Sequence, residues 1–125
     1  MSTKVLVVDD DEEYRGIVVG ALKTGGFETV EADCMAQGLE VYRKERPEAV
    51  VLDGQLPDGD GFALCAILRK EPGGEKLPVL LCTIRGSFEE VVAGLSAGPD
   101  DYVVKPFDDH ELLARLRSAI DARKT

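Results

Sequence analysis

The chain has 125 residues, 44% hydrophobic and 31% charged, and its 24 acidic against 15 basic side chains give a formal net charge of -9. That length fits one domain, residues 1–125, able to bury about two thirds of its unfolded surface, and the composition lacks the low hydrophobicity of disorder. The acidity argues against a nucleic-acid backbone or an anionic membrane as direct partner; with no charged-then-apolar leader and no apolar run near the roughly 18 residues of a membrane span, the expected location is the cytoplasm.

Val5-Leu6-Val7-Val8 is a continuous apolar run, the pattern of a strand covered on both faces. Asp9 and Asp10 follow, and Asp10 or Asp11 is placed to cap a first helix, Asp10 and Glu13 having capping-box spacing. Tyr14, Ile17, Val18, Ala21 and Leu22 give that helix an apolar stripe, which ends at Gly25-Gly26. Thr29-Val30-Glu31-Ala32 alternates like an edge strand, and a helix is expected around residues 34–46, before Pro47. Ala49-Val50-Val51-Leu52 is a second buried strand, and Asp53 follows it. In the loop Gly54–Gly61, Pro57-Asp58-Gly59 makes Asp58 and Asp60 turn residues. A helix around residues 61–70 leads to the turn Pro72-Gly73-Gly74.

Val79-Leu80-Leu81-Cys82 is the third buried strand, with Thr83 at its end. Phe88, Val91, Val92 and Leu95 predict a fourth helix, introduced by a Ser87–Glu90 capping box. After Gly98-Pro99, the short Tyr102-Val103-Val104 suits a sheet edge and leads into Lys105-Pro106. Asp108 and Glu111 open the last helix, Phe107 and Leu112 hold the positions of a hydrophobic staple, and Leu113, Leu116 and Ile120 continue its apolar face. Strict alternation predicts a doubly wound α/β domain of the (βα)5 flavodoxin-like kind: a five-stranded parallel sheet with helices on both faces. Ligands bind such sheets outside the carboxyl ends of the strands, and a strand order 2-1-3-4-5 would bring the ends of the first, third, fourth and fifth strands to one rim.

Cys34, Cys65 and Cys82 are odd in number and widely spaced, which indicates neither a disulfide framework nor a zinc site and makes them core thiols. His110 is the only histidine, expected as a solvated first-turn residue, so a nucleophile-histidine pair has no support. The rim itself holds Asp9, Asp10, Asp53, Thr83 and Lys105. Three carboxylates together repel one another unless a cation intervenes. Magnesium, which prefers oxygen ligands and is commonly held by one or two carboxylates plus a phosphate, suits that set. A carboxylate can also attack a phosphoryl donor. Asp53 is the best placed to do so, between a buried strand and a glycine-rich loop that lets a donor approach, while Asp9 and Asp10 hold the metal. Lys105 supplies a compact cation and Thr83 a hydroxyl, each able to contact a phosphoryl oxygen. Pro106 restricts Lys105 to extended geometry, and a cis Lys105-Pro106 bond would aim the lysine.

These residues resemble the receiver domain of bacterial two-component response regulators over essentially the whole chain. The resemblance rests on Val5-Leu6-Val7-Val8-Asp9-Asp10, Leu52-Asp53, Pro57, Thr83, and Gly98-Pro99-Asp100-Asp101-Tyr102-Val103-Val104-Lys105-Pro106-Phe107. It implies that Asp53 accepts a phosphoryl group from a histidine kinase or a histidine phosphotransfer protein. It implies magnesium bound directly by Asp10 and Asp53 and by the Gln55 backbone carbonyl, with Asp9 acting through a metal-bound water. Thr83 and Lys105 would contact the phosphoryl group, and Tyr102 would be the switch aromatic. A two-state equilibrium would then move the surface around the fourth helix and fifth strand toward a downstream output domain or protein.

The sequence departs from the family pattern at several positions. Gly54 replaces a larger apolar residue, and Ile84 replaces a small one, which would narrow access to the phosphate site. Gln55 and Arg85 stand where side chains tune dephosphorylation. The late sequence is similar to the branch that dimerises through its fourth helix, fifth strand and fifth helix and carries a DNA-binding domain. Glu111 and Arg115 match its charged interface, but Val91 and Ala97 stand where it has a basic and an acidic residue; the salt-bridge set for such a dimer is therefore incomplete, and Val91 equally offers an apolar contact to another partner. The expected module is either complete in itself or the front of a longer regulator. Two alternatives compete: a degenerate receiver acting only as a binding surface, and a magnesium-dependent phosphatase using Asp9 and Asp11 as a bare DxD, which leaves Asp53 unexplained.

Overall fold

A computed structural model describes residues 2–84 and 98–123. The predicted fourth helix, its Ser87–Glu90 capping box, and Arg85, Val91 and Ala97 lie outside the described residues. The strands are β1 (Lys4–Val8), β2 (Glu28–Ala32), β3 (Ala49–Asp53), β4 (Val79–Ile84) and β5 (Asp101–Lys105). They pair in the order β2-β1-β3-β4-β5, all parallel, as expected from the alternating pattern. Helices α1 (Glu12–Thr24), α2 (Met35–Glu45), α3 (Gly61–Arg69) and a C-terminal helix (Asp109–Arg123) complete the described regular elements, with a 3-10 turn at Gly74–Lys76.

Side chains leave a strand on alternating faces, and here both faces are buried. Leu6, Val8, Leu52 and Leu81 form one core with Leu64 and Leu68 of α3, while Val5, Val7, Val51 and Leu80 form the other with Leu22 of α1 and Leu112 and Leu116 of the C-terminal helix. Each such leucine stabilises the fold by about 1.5–3 kcal/mol relative to exposure. The alternating run of β2 and the short run of β5 take the two edges of the sheet.

Three strand boundaries move in a way that matters for the site. Asp53, Thr83 and Lys105 belong to β3, β4 and β5 themselves, because pairing runs on to Asp53↔Cys82 and Ile84↔Lys105. Ladder geometry thus fixes their backbones. The loop after β3 contains a two-residue hairpin, Gln55–Leu56 against Gly59–Asp60, that periodicity is too short to predict.

The helix caps correct other expectations. Asp11, not Asp10, caps α1, its carboxylate accepting the N–H groups of Glu13 and Tyr14 at 3.0 and 3.2 Å. Cys34 is half-buried, outside the core that holds Cys65 and Cys82, and its Sγ accepts the Gln37 N–H at the start of α2. Asp58 and Asp60 do more than turn the chain. Asp58 accepts the N–H groups of Met35 and Ala36 at 2.8 and 3.0 Å, capping α2 from a distant loop. Asp60 caps α3 through the Ala63 N–H at 2.7 Å. Asp108 caps the last helix as expected, accepting the Glu111 N–H at 2.8 Å, and His110 is exposed in its first turn.

Gly61 permits a close approach at the start of α3. A Cβ there would collide with the Asp53 carbonyl oxygen and would lie 2.6 Å from Leu81 Cδ1. Gly61→Ala is therefore expected to lower stability by about 1–3 kcal/mol through overpacking against the backbone of Asp53; urea unfolding measures the loss.

Candidate functional site

The carboxyl ends of β1, β3 and β5 bring four charged side chains together. Asp9, directly after β1, is buried and held on every side. Its N–H donates to the Ala32 carbonyl at 3.1 Å, and its own carbonyl accepts from Arg15, whose Nε also reaches Glu31 at 3.0 Å. One carboxylate oxygen of Asp9 accepts the Asp11 N–H at 2.9 Å, and the other accepts Lys105 Nζ at 3.1 Å. Asp53 is buried at the end of β3 and accepts Lys105 Nζ at 3.1 Å. Asp10 is exposed. Asp9, Asp10 and Asp53 each offer an oxygen, and these oxygens lie within 4.8 Å of one another.

Burial and the neighbouring charge of Asp9 push the Asp53 carboxyl above its ordinary range, against the opposing pull of Lys105. For Lys105, burial works against the ammonium, but Asp53 and Asp9 outweigh it and the group is pushed above the ordinary lysine value. The Cys82 thiol, opposite Asp53 in the ladder, is pushed up by burial to about 12 and is not a thiolate donor at neutral pH. The donor set is thus carboxylate oxygen, which fits a hard divalent cation. The Lys105-Pro106 bond is cis.

Thr83 is buried beside the site; a Cβ on Gly54 would touch its Oγ1 at 3.5 Å, an ordinary contact, so the smaller residue at 54 is not forced by sterics. Tyr102 is half-buried and packs against the core shared with Leu81 and α3. It pairs with Leu81 while Thr83 pairs with Val104, so Thr83 and Tyr102 lie on the same sheet face. Ile84, 56% exposed, lines an open cavity of about 620 Å³ that also contacts Asp10, Asp53, Gln55, Lys105 and Tyr14.

Every predicted rim residue therefore lies at this edge. Sequence reasoning missed Tyr14 and Arg15. Tyr14 belongs to the apolar stripe of α1, and only the fold brings its ring within 4.3 Å of Lys105 Nζ. One oxygen of Asp11, the second carboxylate of the DxD alternative, caps α1, and that alternative leaves the buried Asp53–Lys105 pair without a role.

A doubly wound parallel sheet thus carries an acidic cluster and a lysine where its first, third and fifth strands end, a charge arrangement able to accommodate a cation. Residues 5–117 match the model of the response regulator receiver domain, and the chain belongs to that family. It is 43% identical to the response regulator MprA of Mycobacterium ulcerans over 99% of this chain and 53% of that protein. It is also 43% identical to the protein named "Probable transcriptional regulator ycf27" of Pyropia yezoensis over 94% of this chain and 47% of that protein. The chain thus spans about half the length of these curated relatives. Among solved structures, the chemotaxis response regulator CheY4 of Vibrio cholerae superposes with a TM-score of 0.88 at 28% identity, over 95% of this chain and 99% of that one. A CheY-like receiver domain protein of Methanospirillum hungatei gives 0.89 at 27% identity, over 99% and 98%.

Proposed function

We propose that this receiver domain is a phosphorylation-driven switch in which Asp53 takes a phosphoryl group from a phosphohistidine of a sensor kinase or a phosphotransfer protein. The observation that carries this reading is the buried Asp53 carboxylate, facing a cavity and paired with Lys105 at 3.1 Å beside two further carboxylates. An Asp53 oxygen attacks phosphorus, forming an O–P bond as the donor N–P bond breaks, and the leaving imidazole keeps the bond's electron pair and takes up a proton. Lys105 offsets charge on the phosphoryl oxygens, and Thr83 donates its hydroxyl to one of them. Asp10, Asp53 and the Gln55 carbonyl would hold magnesium, with Asp9, whose oxygens accept Asp11 and Lys105, adding negative charge beside it. When bound, the cation supplies charge neutralisation across the acidic cluster and the incoming phosphate.

Thr83, drawn toward the phosphoryl group, would let Tyr102 move inward on the shared face and so bias the output surface. In this reading the domain is a cytoplasmic phosphoacceptor rather than an enzyme with turnover, and an output domain or protein receives the signal. Among the described residues, no helix is long and apolar enough to cross a membrane. Arg115 is already engaged within the chain, with Asp101 at 3.0 Å and Glu111 at 3.3 Å, so a dimer through this face would have to exchange those pairs.

Incubation with a small phosphodonor, resolved on a phosphate-affinity gel, tests the proposal. A slower band that requires magnesium and is absent from Asp53→Asn is expected; an identical band in that variant would defeat it. The same geometry leads to two further outcomes. Asp10→Asn should weaken magnesium binding by at least the roughly 10- to 100-fold that loss of a group supporting a metal ligand costs, and calorimetric titration reads it. Ile84→Ala, which removes bulk from the cavity wall, should speed labelling by acetyl phosphate several-fold; an unchanged rate would mean that Ile84 does not obstruct the donor.

A further inference from the structure

One aromatic side chain at the rim has no part in the chemistry above. Tyr14, half-buried on α1, places its ring centroid 4.3 Å from Lys105 Nζ. The same ring meets Phe107 at 5.7 Å between centroids with the planes at 56°. Tyr14 thus touches the lysine and the segment that carries it.

An ammonium has three donors. Lys105 gives two of them to Asp9 and Asp53, both at 3.1 Å, and the ring face of Tyr14 provides a third attractive neighbour. The arrangement matters most when Asp53 reacts. Its oxygen then becomes an ester oxygen and its full negative charge is lost from the carboxyl group, so one of the two anionic anchors of Lys105 disappears as the phosphoryl group arrives. The contact with Tyr14 does not depend on the charge of Asp53 and persists through the transfer.

We propose that Tyr14 is a positioning residue that holds the Lys105 ammonium at the rim, ready for the phosphoryl oxygens; this rests on the reading that Lys105 contacts the transferred group. A role in the helix stripe alone would be filled equally by leucine, which packs as well but has no ring face. Positioning requires the ring.

The test compares wild type, Tyr14→Phe, Tyr14→Leu and Lys105→Met for the rate of phosphorylation by acetyl phosphate with magnesium. Lysine side-chain NMR of the first three is recorded in parallel. Tyr14→Leu should be slower by about fivefold, the scale of a partly desolvated cation–π contact, and Tyr14→Phe should recover most of that loss. The Lys105 methylene protons nearest the ammonium should show a ring-current shift in wild type and Tyr14→Phe that vanishes in Tyr14→Leu. A slow Lys105→Met beside a wild-type rate in Tyr14→Leu overturns the inference and leaves the phosphoryl-transfer reading standing. An equal loss in Tyr14→Phe and Tyr14→Leu overturns it in favour of the hydroxyl. A Lys105→Met variant as fast as wild type removes the lysine's role, and the inference falls with it.

Discussion

Lys105→Met should lower the stability of the metal-free protein at pH 7 by about 3 kcal/mol, the low end of the cost of breaking a buried ion pair. The lysine side chain is 12% exposed and its partners Asp9 and Asp53 are 4% and 11% exposed, so water replaces the removed ammonium only in part, from the cavity side. The variant retains a pair of desolvated carboxylates facing each other. The direction of the shift sets the sign of the pH dependence. Lys105 is held above its ordinary value, so its contribution is fully present below the unfolded lysine value of about 10.4 and is lost as pH rises through the folded one. The gap between wild type and variant should therefore narrow in strongly alkaline solution, and also in acid, where Asp53 takes up a proton and no longer needs the ammonium. Magnesium should recover part of the loss by binding the folded state preferentially. Urea unfolding with chelator and with magnesium checks both; a variant as stable as wild type in chelator would mean that the ion pairs contribute nothing net.

Asp53→Asn should behave in the opposite way: phosphorylation abolished, stability in chelator raised by about 0.5–2 kcal/mol, the scale of a single stabilising substitution. Burial is the leading reason that the Asp53 carboxyl is held above its ordinary range, and repulsion from Asp9 adds to it. A raised folded value means that the native state binds the proton more tightly than the unfolded chain. Stability from this group is therefore fully present below the unfolded aspartate value of about 3.9 and declines as pH rises through the folded value. The amide never ionises, so the advantage of Asp53→Asn should be small near pH 4 and larger at pH 7. Thermal unfolding at the two pH values tests this, and a variant less stable than wild type at pH 7 would show that the Lys105 pairing outweighs burial.

Much of the site is legible in the sequence because strand ends carry position as well as composition. Val5–Val8, Ala49–Leu52 and Val79–Cys82 mark central strands by unbroken apolar character, and in a doubly wound sheet this alone brings the residues just past them to one rim. Asp9, Asp10, Asp53, Thr83 and Lys105 can be assembled from the pattern for that reason. Contacts that depend on three-dimensional approach cannot. Asp58 reads as a turn residue, yet its carboxylate caps a helix 22 and 23 positions earlier in the chain. Tyr14 reads as one residue of a helical stripe, and only the pairing of β5 with β4 and the packing of α1 set it over Lys105. Cys34 reads as a core thiol because nothing local distinguishes a capping sulfur from a buried one. The hydroxyl and aromatic of the proposed switch, Thr83 and Tyr102, lie on one sheet face, a relation that period-2 alternation supplies once the strands are paired.

The central claim is that Asp53, and neither Asp9 nor Asp10, carries the phosphoryl group. Borohydride reduction of the labelled protein, followed by peptide mass spectrometry, converts an acyl phosphate into a reduced side chain at the modified position. The expected result is reduction at position 53 alone, dependent on magnesium during labelling and absent from Asp53→Asn. Reduction at Asp9 or Asp10, or none after exposure to acetyl phosphate, phosphoramidate and a phosphorylated histidine donor in turn, would contradict it.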